Sequence, residues 1–297
     1  MRRLVPVLVV LALLHALGGC ASQATTATRT VTARPIAPAA ATAEPASPSA
    51  ATTAQSDNAG KTVTVYAAAS LTESFNEMAD LFSAENGGAR VSFNFANSSQ
   101  LRAQIEQGAP ADVFASANER EMKTLVEGGM IAGEPQIFAR NRLVVILPKA
   151  NPGRIESVQD LGKPGVKFVA AGSAVPVGGY FLQVLDTMKA DPAYGSDFKD
   201  KVMRNFVSEE TDVKQVVAKV QLGEGDAGVV YLTDVTPKVA PNLQVIEIPD
   251  ALNVIAKYPI AVTKNASEGA LGQAFVSFIL SAEGQAILKN LGFAPAK

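Results

Sequence analysis

Two hydrophobic periods alternate along residues 61–297. Val63-Thr-Val-Tyr66 and Val91-Ser-Phe-Asn-Phe95 alternate as strands do, whereas Phe75, Met78, Ala79 and Phe82 recur at helical spacing over about 71–84. The same exchange repeats downstream. Asn97-Ser98-Ser99 opens a helix carrying Leu101 and Ile105, Asp112-Val-Phe-Ala115 reads as a short buried strand, and Met122, Leu125 and Val126 mark the next helix. Apolar strands follow at Leu143–Leu147 and Val166–Ala170, then a helix with Phe181, Leu182 and Leu185. Val213, Val216, Val217 and Val220 stand at i, i+3, i+4, i+7 in a helix over about 212–222. Strands at 227–231, 243–248 and around 258–262 precede two C-terminal helices. Strands alternating with helices predict an α/β fold whose mostly parallel sheets are covered by helices on both faces.

In such sheets ligands sit beyond the carboxyl ends of strands, against helix N-termini. Four strand-to-helix junctions share one character: Ala67-Ala-Ala-Ser70, Asn97-Ser98-Ser99, Ala174-Val-Pro-Val-Gly-Gly-Tyr180 and Thr211-Asp212-Val213. Each offers free backbone N–H groups, and apart from Asp212 none carries a charge. Neutral donors at helix starts suit an anion, because the first N–H groups lack intrahelical partners and the helix dipole favours negative charge. Taken singly, each junction has a plainer reading. Ser70-Leu-Thr-Glu73 fits a capping box, Ser98, Ser99, Thr211 or Asp212 could be ordinary N-caps, and Gly178-Gly179 a tight turn.

Composition removes several chemistries. Met1–Gly19 holds two arginines, an apolar run from Leu4 to Leu17 and a small-residue ending, as a secretory signal does, and is short for a membrane span. Cys20, the only cysteine, follows Leu17-Gly18-Gly19 in the manner of a bacterial lipobox; the plainer alternative is a signal peptide with an incidental cysteine. Cleavage ahead of Cys20 would also remove His15, the only histidine. The mature chain then has no His-based triad, Cys-His dyad or His/Cys zinc site. It would carry 24 basic against 28 acidic side chains, net −4, with no basic face for nucleic acid. Ser196-Asp-Phe-Lys199 and Ser56-Asp-Asn58 match two serine-hydrolase motifs in the wrong order and without the third, and Gly60-Lys-Thr62 lacks the glycine at 55 that a phosphate loop needs. Residues 21–60 contain 30 Ala, Thr, Ser or Pro and read as a disordered tether.

The stretches YAAASLTESF (66–75), FANSSQLRAQIEQGAPADVFASA (95–117), VPVGGY (175–180), TDVKQVVAKVQLGEGDAGVVYLTDV (211–235) and Tyr258-Pro259 come in the order found in the periplasmic molybdate-binding proteins of ABC importers, and the chain resembles that family over essentially all of 61–297. The resemblance implies a two-lobe Venus-flytrap fold of the type II periplasmic binding proteins, with lobe 1 in 61–143 plus 258–297 and lobe 2 in 144–257. It also implies a molybdate ligand held by Ser70 and Ser98 through hydroxyl and N–H, by Val177 and Val213 through N–H, and by the phenol of Tyr231. Val177 stands where the family commonly has alanine, and Asn97 where many members have a small residue, as a further donor or as a helix cap.

On this resemblance the chain is not an enzyme and has no cofactor. Molybdenum enters only as the oxyanion, without direct side-chain ligands. The expected protein is an exported monomer, lipid-anchored through Cys20 to the outer face of the cell membrane, that passes molybdate, and tungstate also, to a permease and its ATPase. Rival readings are a binder tuned to tungstate or sulfate, a sensing lipoprotein, and a Ser70 hydrolase with a lysine base that no motif supplies.

Overall fold

The computed structural model describes residues 58–296, so the signal segment, Cys20 and nearly all of the tether lie outside the described residues. Strand β1 (Thr62–Ala68) runs parallel to β2 (Arg90–Ala96) on one side and to β3 (Val113–Ala115) on the other. Helices α1 (Thr72–Glu85), α2 (Ser98–Glu106) and α3 (Glu119–Glu127) follow these strands in turn. Each begins within a few residues of a strand's carboxyl end, so three helix starts gather along one edge of the sheet.

The chain then enters β4 (Ile131–Pro148), which is much longer than the apolar stretch at 143–147 suggests. Its first part, through Arg142, pairs antiparallel with β9 (Ile255–Thr263). From Leu143 onward it pairs instead with β7 (Ala227–Tyr231) and β8 (Leu243–Glu247). Beyond β7 lie β5 (Phe168–Ala171) and β6 (Phe206–Glu210), both parallel. Two parallel triplets, β2-β1-β3 and β7-β5-β6, are thus joined through the antiparallel pair β9 and β4, giving the order β2-β1-β3-β9-β4-β7-β5-β6. This is a two-lobe α/β fold, one triplet to each lobe.

Helices α4 (Pro176–Ala190), α5 (Phe198–Arg204) and α6 (Val213–Gln221) flank the second triplet, and α7 (Gly269–Leu280) and α8 (Ala282–Asn290) return to the first. Each lobe has its own aromatic centre. Phe75 meets Phe93, Phe138 and Phe275 in the first, while Phe168, Phe181 and Phe206 stack on one another in the second. Burying a phenylalanine contributes roughly 1.5–3 kcal/mol, so these clusters fix the sheets whose ends carry the site. Among the described residues no single helix is long and apolar enough to cross a membrane.

Candidate anion-binding site

The run of small side chains at the end of β1 lets the chain turn tightly. Ala69–Leu71 form one 3-10 turn before α1 begins at Thr72, and Ser70 is 4% exposed. The capping box suggested by spacing is absent, because α1 has no side-chain cap. Ser70 Oγ instead lies 3.0 Å from the phenol oxygen of Tyr258, and the Glu73 carboxylate takes the ammonium of Lys214 at 2.7 Å.

At α2 the cap is Asn97, whose Oδ1 accepts from Gln100 N–H at 2.9 Å and from the Ser99 hydroxyl at 2.6 Å. Ser98, fully buried, is thereby released from capping. Its oxygen accepts the N–H of Ala117 at 3.0 Å, which leaves its own proton to donate elsewhere. Helix α6 repeats the device with a charge. Asp212 Oδ1 accepts from Lys214 N–H and Gln215 N–H, and Oδ2 from the Gln215 side chain, so the carboxylate is turned onto its own helix and does not take the Val213 N–H, the first of α6.

Helix α4 reaches the same result by another route. Pro176 occupies its first position and has no N–H, which makes Val177 the first donor of that helix. Tyr231, at the end of β7, completes the set. It is 1% exposed, and among the described residues its hydroxyl has no hydrogen-bond partner. Burial pushes this phenol well above the ordinary tyrosine pKa, so it stays a proton donor. A buried hydroxyl without a partner costs about 1–3 kcal/mol, which marks a place where an acceptor belongs.

These residues meet. Ser70, Ser98, Val177, Val213 and Tyr231 all line one small cavity, together with Ala68, Ala69, Asn97, Ala117, Val175, Pro176 and Asp212. So small a cavity suits a small solute rather than a drug-sized ligand. The lining includes no lysine, arginine, histidine or cysteine, and among the described residues no cluster of His, Cys, Asp or Glu could hold a metal ion. What the walls offer is a ring of neutral donors at the positive ends of three helices and a 3-10 turn, an arrangement made for a small anion.

Both lobes contribute, and they touch around the cavity. Asn97 Nδ2 donates to the Thr211 carbonyl at 2.6 Å, and Arg120 donates to the Ala174 carbonyl at 3.3 Å. Lys214 reaches Glu73 of the first lobe while holding Asp234 of its own at 3.1 Å. Burial works against the charge of Lys214, but Asp234 and Glu73 outweigh it and hold the ammonium above the ordinary lysine pKa. This lysine is thus paired with two carboxylates, and the partner of Ser70 is a phenol, so among the described residues no lysine is hydrogen-bonded to the serine as a base. Lys199 of the S-x-x-K match pairs with Asp186 at 2.6 Å. The Asn97 alternatives resolve as a cap that also ties the lobes.

The family model for bacterial extracellular solute-binding proteins matches residues 63–294. The molybdate-binding protein ModA of Mycobacterium tuberculosis (strain H37Rv) is 39% identical over 234 residues, covering 79% of this chain and 85% of its own. The protein of the same name from Escherichia coli K12 is 31% identical over 238 residues, covering 78% and 88%. Among solved structures, the periplasmic molybdate-binding protein of Azotobacter vinelandii superposes with a TM-score of 0.67 at 24% identity, covering 78% of this chain and 98% of that one, and bears on the fold. By the family match across nearly all of its described residues, this chain belongs to the bacterial extracellular solute-binding proteins.

Proposed function

We propose that this chain captures molybdate, and tungstate with it, outside the cytoplasm and hands it to an ABC permease with its ATPase. The observation that carries this reading is the buried, partnerless Tyr231 hydroxyl in a cavity whose other donors are all neutral. The names of the 39% and 31% identical relatives support the choice of anion. The dianion would be held by the N–H groups of Ser70, Ser98, Val177 and Val213 and the hydroxyls of Ser70, Ser98 and Tyr231. Capture is by closure of lobe 1 (61–143 and 258–297) on lobe 2 (144–257), with the chain crossing near Leu143 and Tyr258. The ligand leaves as it entered, no bond is made or broken, and no cofactor takes part. The protein acts as a monomer tethered through a lipid on Cys20.

Neutral donors explain the selectivity such a protein needs. A cage with donors and few acceptors leaves the O–H of hydrogen phosphate without a partner, and a cavity sized for molybdate holds the smaller sulfate loosely. Calorimetric titration of the full chain with molybdate, tungstate, sulfate and phosphate is expected to give tight binding of the first two only. Absence of heat with molybdate would sink this reading. With molybdate as ligand, Ser98→Ala and Tyr231→Phe are each expected to weaken binding by about 1–3 kcal/mol, as for hydrogen bonds to a charged group. Unchanged affinity in both variants would refute the assignment of donors.

A further inference from the structure

The Ser70 hydroxyl can serve an anion only if its proton points into the cavity, and a free rotor gives no such guarantee. Its neighbours decide the matter. The Ser70 oxygen has one side-chain partner, the Tyr258 phenol at 3.0 Å, and either oxygen could be the donor on distance alone. Behind Tyr258 stands Asn141, whose Nδ2 lies 3.4 Å from that phenol oxygen and 2.8 Å from the hydroxyl of Thr233. The orientation of this amide is fixed. Asn141 Oδ1 accepts the backbone N–H of Arg142 at 3.0 Å, and a backbone N–H cannot be an acceptor, so Nδ2 must be the atom facing Tyr258 and Thr233.

An amide nitrogen only donates. Tyr258 therefore receives a proton from Asn141, and of the two side chains within hydrogen-bond distance of its oxygen only Ser70 Oγ can accept its own. Ser70 then has its own proton free, and Ser70 lines the cavity. The opposite polarity would strand the Tyr258 proton in a fully buried position and turn the serine lone pairs toward the bound anion.

We infer, on the oxyanion reading of the cavity, that Tyr258 is a positioning residue which, backed by Asn141, locks the Ser70 hydroxyl as a donor and so excludes oxyanions that carry a proton. Asn141 and Tyr258 belong to β4 and β9, and Thr233 lies just beyond β7, so the relay starts where the lobes join and ends at the ligand. Two phenols in edge-on contact divide the work. The ring of Tyr231 packs edge-on to that of Tyr258 with centroids 5.7 Å apart; Tyr231 offers its proton to the cavity, while Tyr258 stands outside the lining and sets the proton of its neighbour.

The test is Tyr258→Phe in the full chain, which keeps the ring packed against Phe138 and Phe293 and removes only the hydroxyl. Calorimetry with molybdate and with inorganic phosphate near neutral pH, on wild type, Tyr258→Phe, Ser70→Ala and the double variant, separates the outcomes. Tyr258→Phe is expected to weaken molybdate binding by roughly tenfold, the size of one modest hydrogen bond to a charged ligand, and to narrow the preference for molybdate over hydrogen phosphate. The effect should vanish in the Ser70→Ala background, which a merely structural role would not produce. Unchanged molybdate affinity, or an equal loss with and without Ser70, overturns the inference while wild-type binding leaves the oxyanion site standing; a wild type that binds no oxyanion overturns the site itself. If Tyr258→Phe does not fold, Asn141→Asp carries the test, because a carboxylate oxygen in place of Nδ2 accepts the Tyr258 proton and no longer forces it toward Ser70: a narrowed molybdate preference supports the relay, and an unchanged one overturns it.

Discussion

Asn97→Asp is expected to abolish useful molybdate binding while leaving the cap of α2 in place in the unliganded protein. Asn97 is 5% exposed, lines the cavity, and caps α2 through Oδ1. Aspartate is as good an N-cap as asparagine, and its charge gains about 0.3–1 kcal/mol from the helix N-terminus. The cap therefore survives. What changes is the other atom of the side chain, where a carboxylate oxygen replaces the nitrogen that now donates to the Thr211 carbonyl. The lobes lose that bond, and an anion cavity acquires a fixed negative charge. Two unit charges 4 Å apart repel by about 4 kcal/mol at an effective dielectric of 20, and the ligand carries two. Even half of that repulsion lowers affinity by more than about a hundredfold, since each 1.4 kcal/mol is tenfold.

Calorimetry and thermal unfolding of the unliganded chain read the two effects separately. The pH dependence has a definite sign. A neighbouring anion raises the pKa of the introduced carboxyl, so binding should recover in part as pH falls toward 5, whereas wild type shows no such gain. Asn97→Ala is the control: it loses the cap, about 1 kcal/mol, but adds no charge, and should bind only several-fold more weakly. Wild-type affinity in Asn97→Asp would mean that the anion does not sit against α2.

The alternation of strands and helices was legible because hydrophobic period is a local property. Phe75, Met78 and Phe82 on α1, and Val213, Val216, Val217 and Val220 on α6, are buried as their spacing implies. The first part of β4 was not legible, because Gly133, Glu134 and Pro135 interrupt it and its register against β9 shifts between Ala132 and Gln136. Strand β6 was hidden by its glutamates: Glu210 reads as solvent-facing, yet it is buried, with Lys219 at 2.7 Å. The five residues named from motif order line one cavity, but their local spacing could not separate cap from ligand contact at Ser70. That distinction rests on Tyr258, 188 residues away, and on Lys214, which draws Glu73 out of the capping box. Contacts of that range leave no periodic trace.

One principle connects the four junctions. Each helix start would ordinarily satisfy its own N–H groups with the nearest hydroxyl, and a serine used that way has nothing left for a ligand. Here the capping falls to Asn97 in α2 and Asp212 in α6, and to no side chain in α1 or α4. Ser70 and Ser98 are freed as donors because other residues do the capping, or because the helix begins with none.

The glycine at 178 is where the placement of these donors meets a steric limit. A methyl group on Gly178 would lie under 3.0 Å from the carbonyl oxygens of both Ala171 and Gly172, at the end of β5. Those atoms are backbone and cannot swing aside, and Pro176 fixes the entry angle of α4, so relief requires lifting the first turn of the helix off the sheet. Overpacking of this kind costs about 1–3 kcal/mol. The same displacement carries the Val177 N–H, one residue earlier, away from the cavity, and hydrogen bonds weaken steeply once distance and angle are lost. Gly178→Ala is therefore expected to lower the unfolding midpoint and to weaken molybdate binding by at least about tenfold. The adjacent glycine is the internal control. A methyl on Gly179 would sit 3.2 Å from the Ser173 carbonyl oxygen, a contact that a shift of a few tenths of an ångström relieves, and alanine within a helix recovers up to about 1 kcal/mol of chain entropy. Gly179→Ala should melt and bind close to wild type. Equal behaviour of the two variants would show that the start of α4 yields freely, and that the Val177 N–H is not held in place by the close approach of Gly178 to β5.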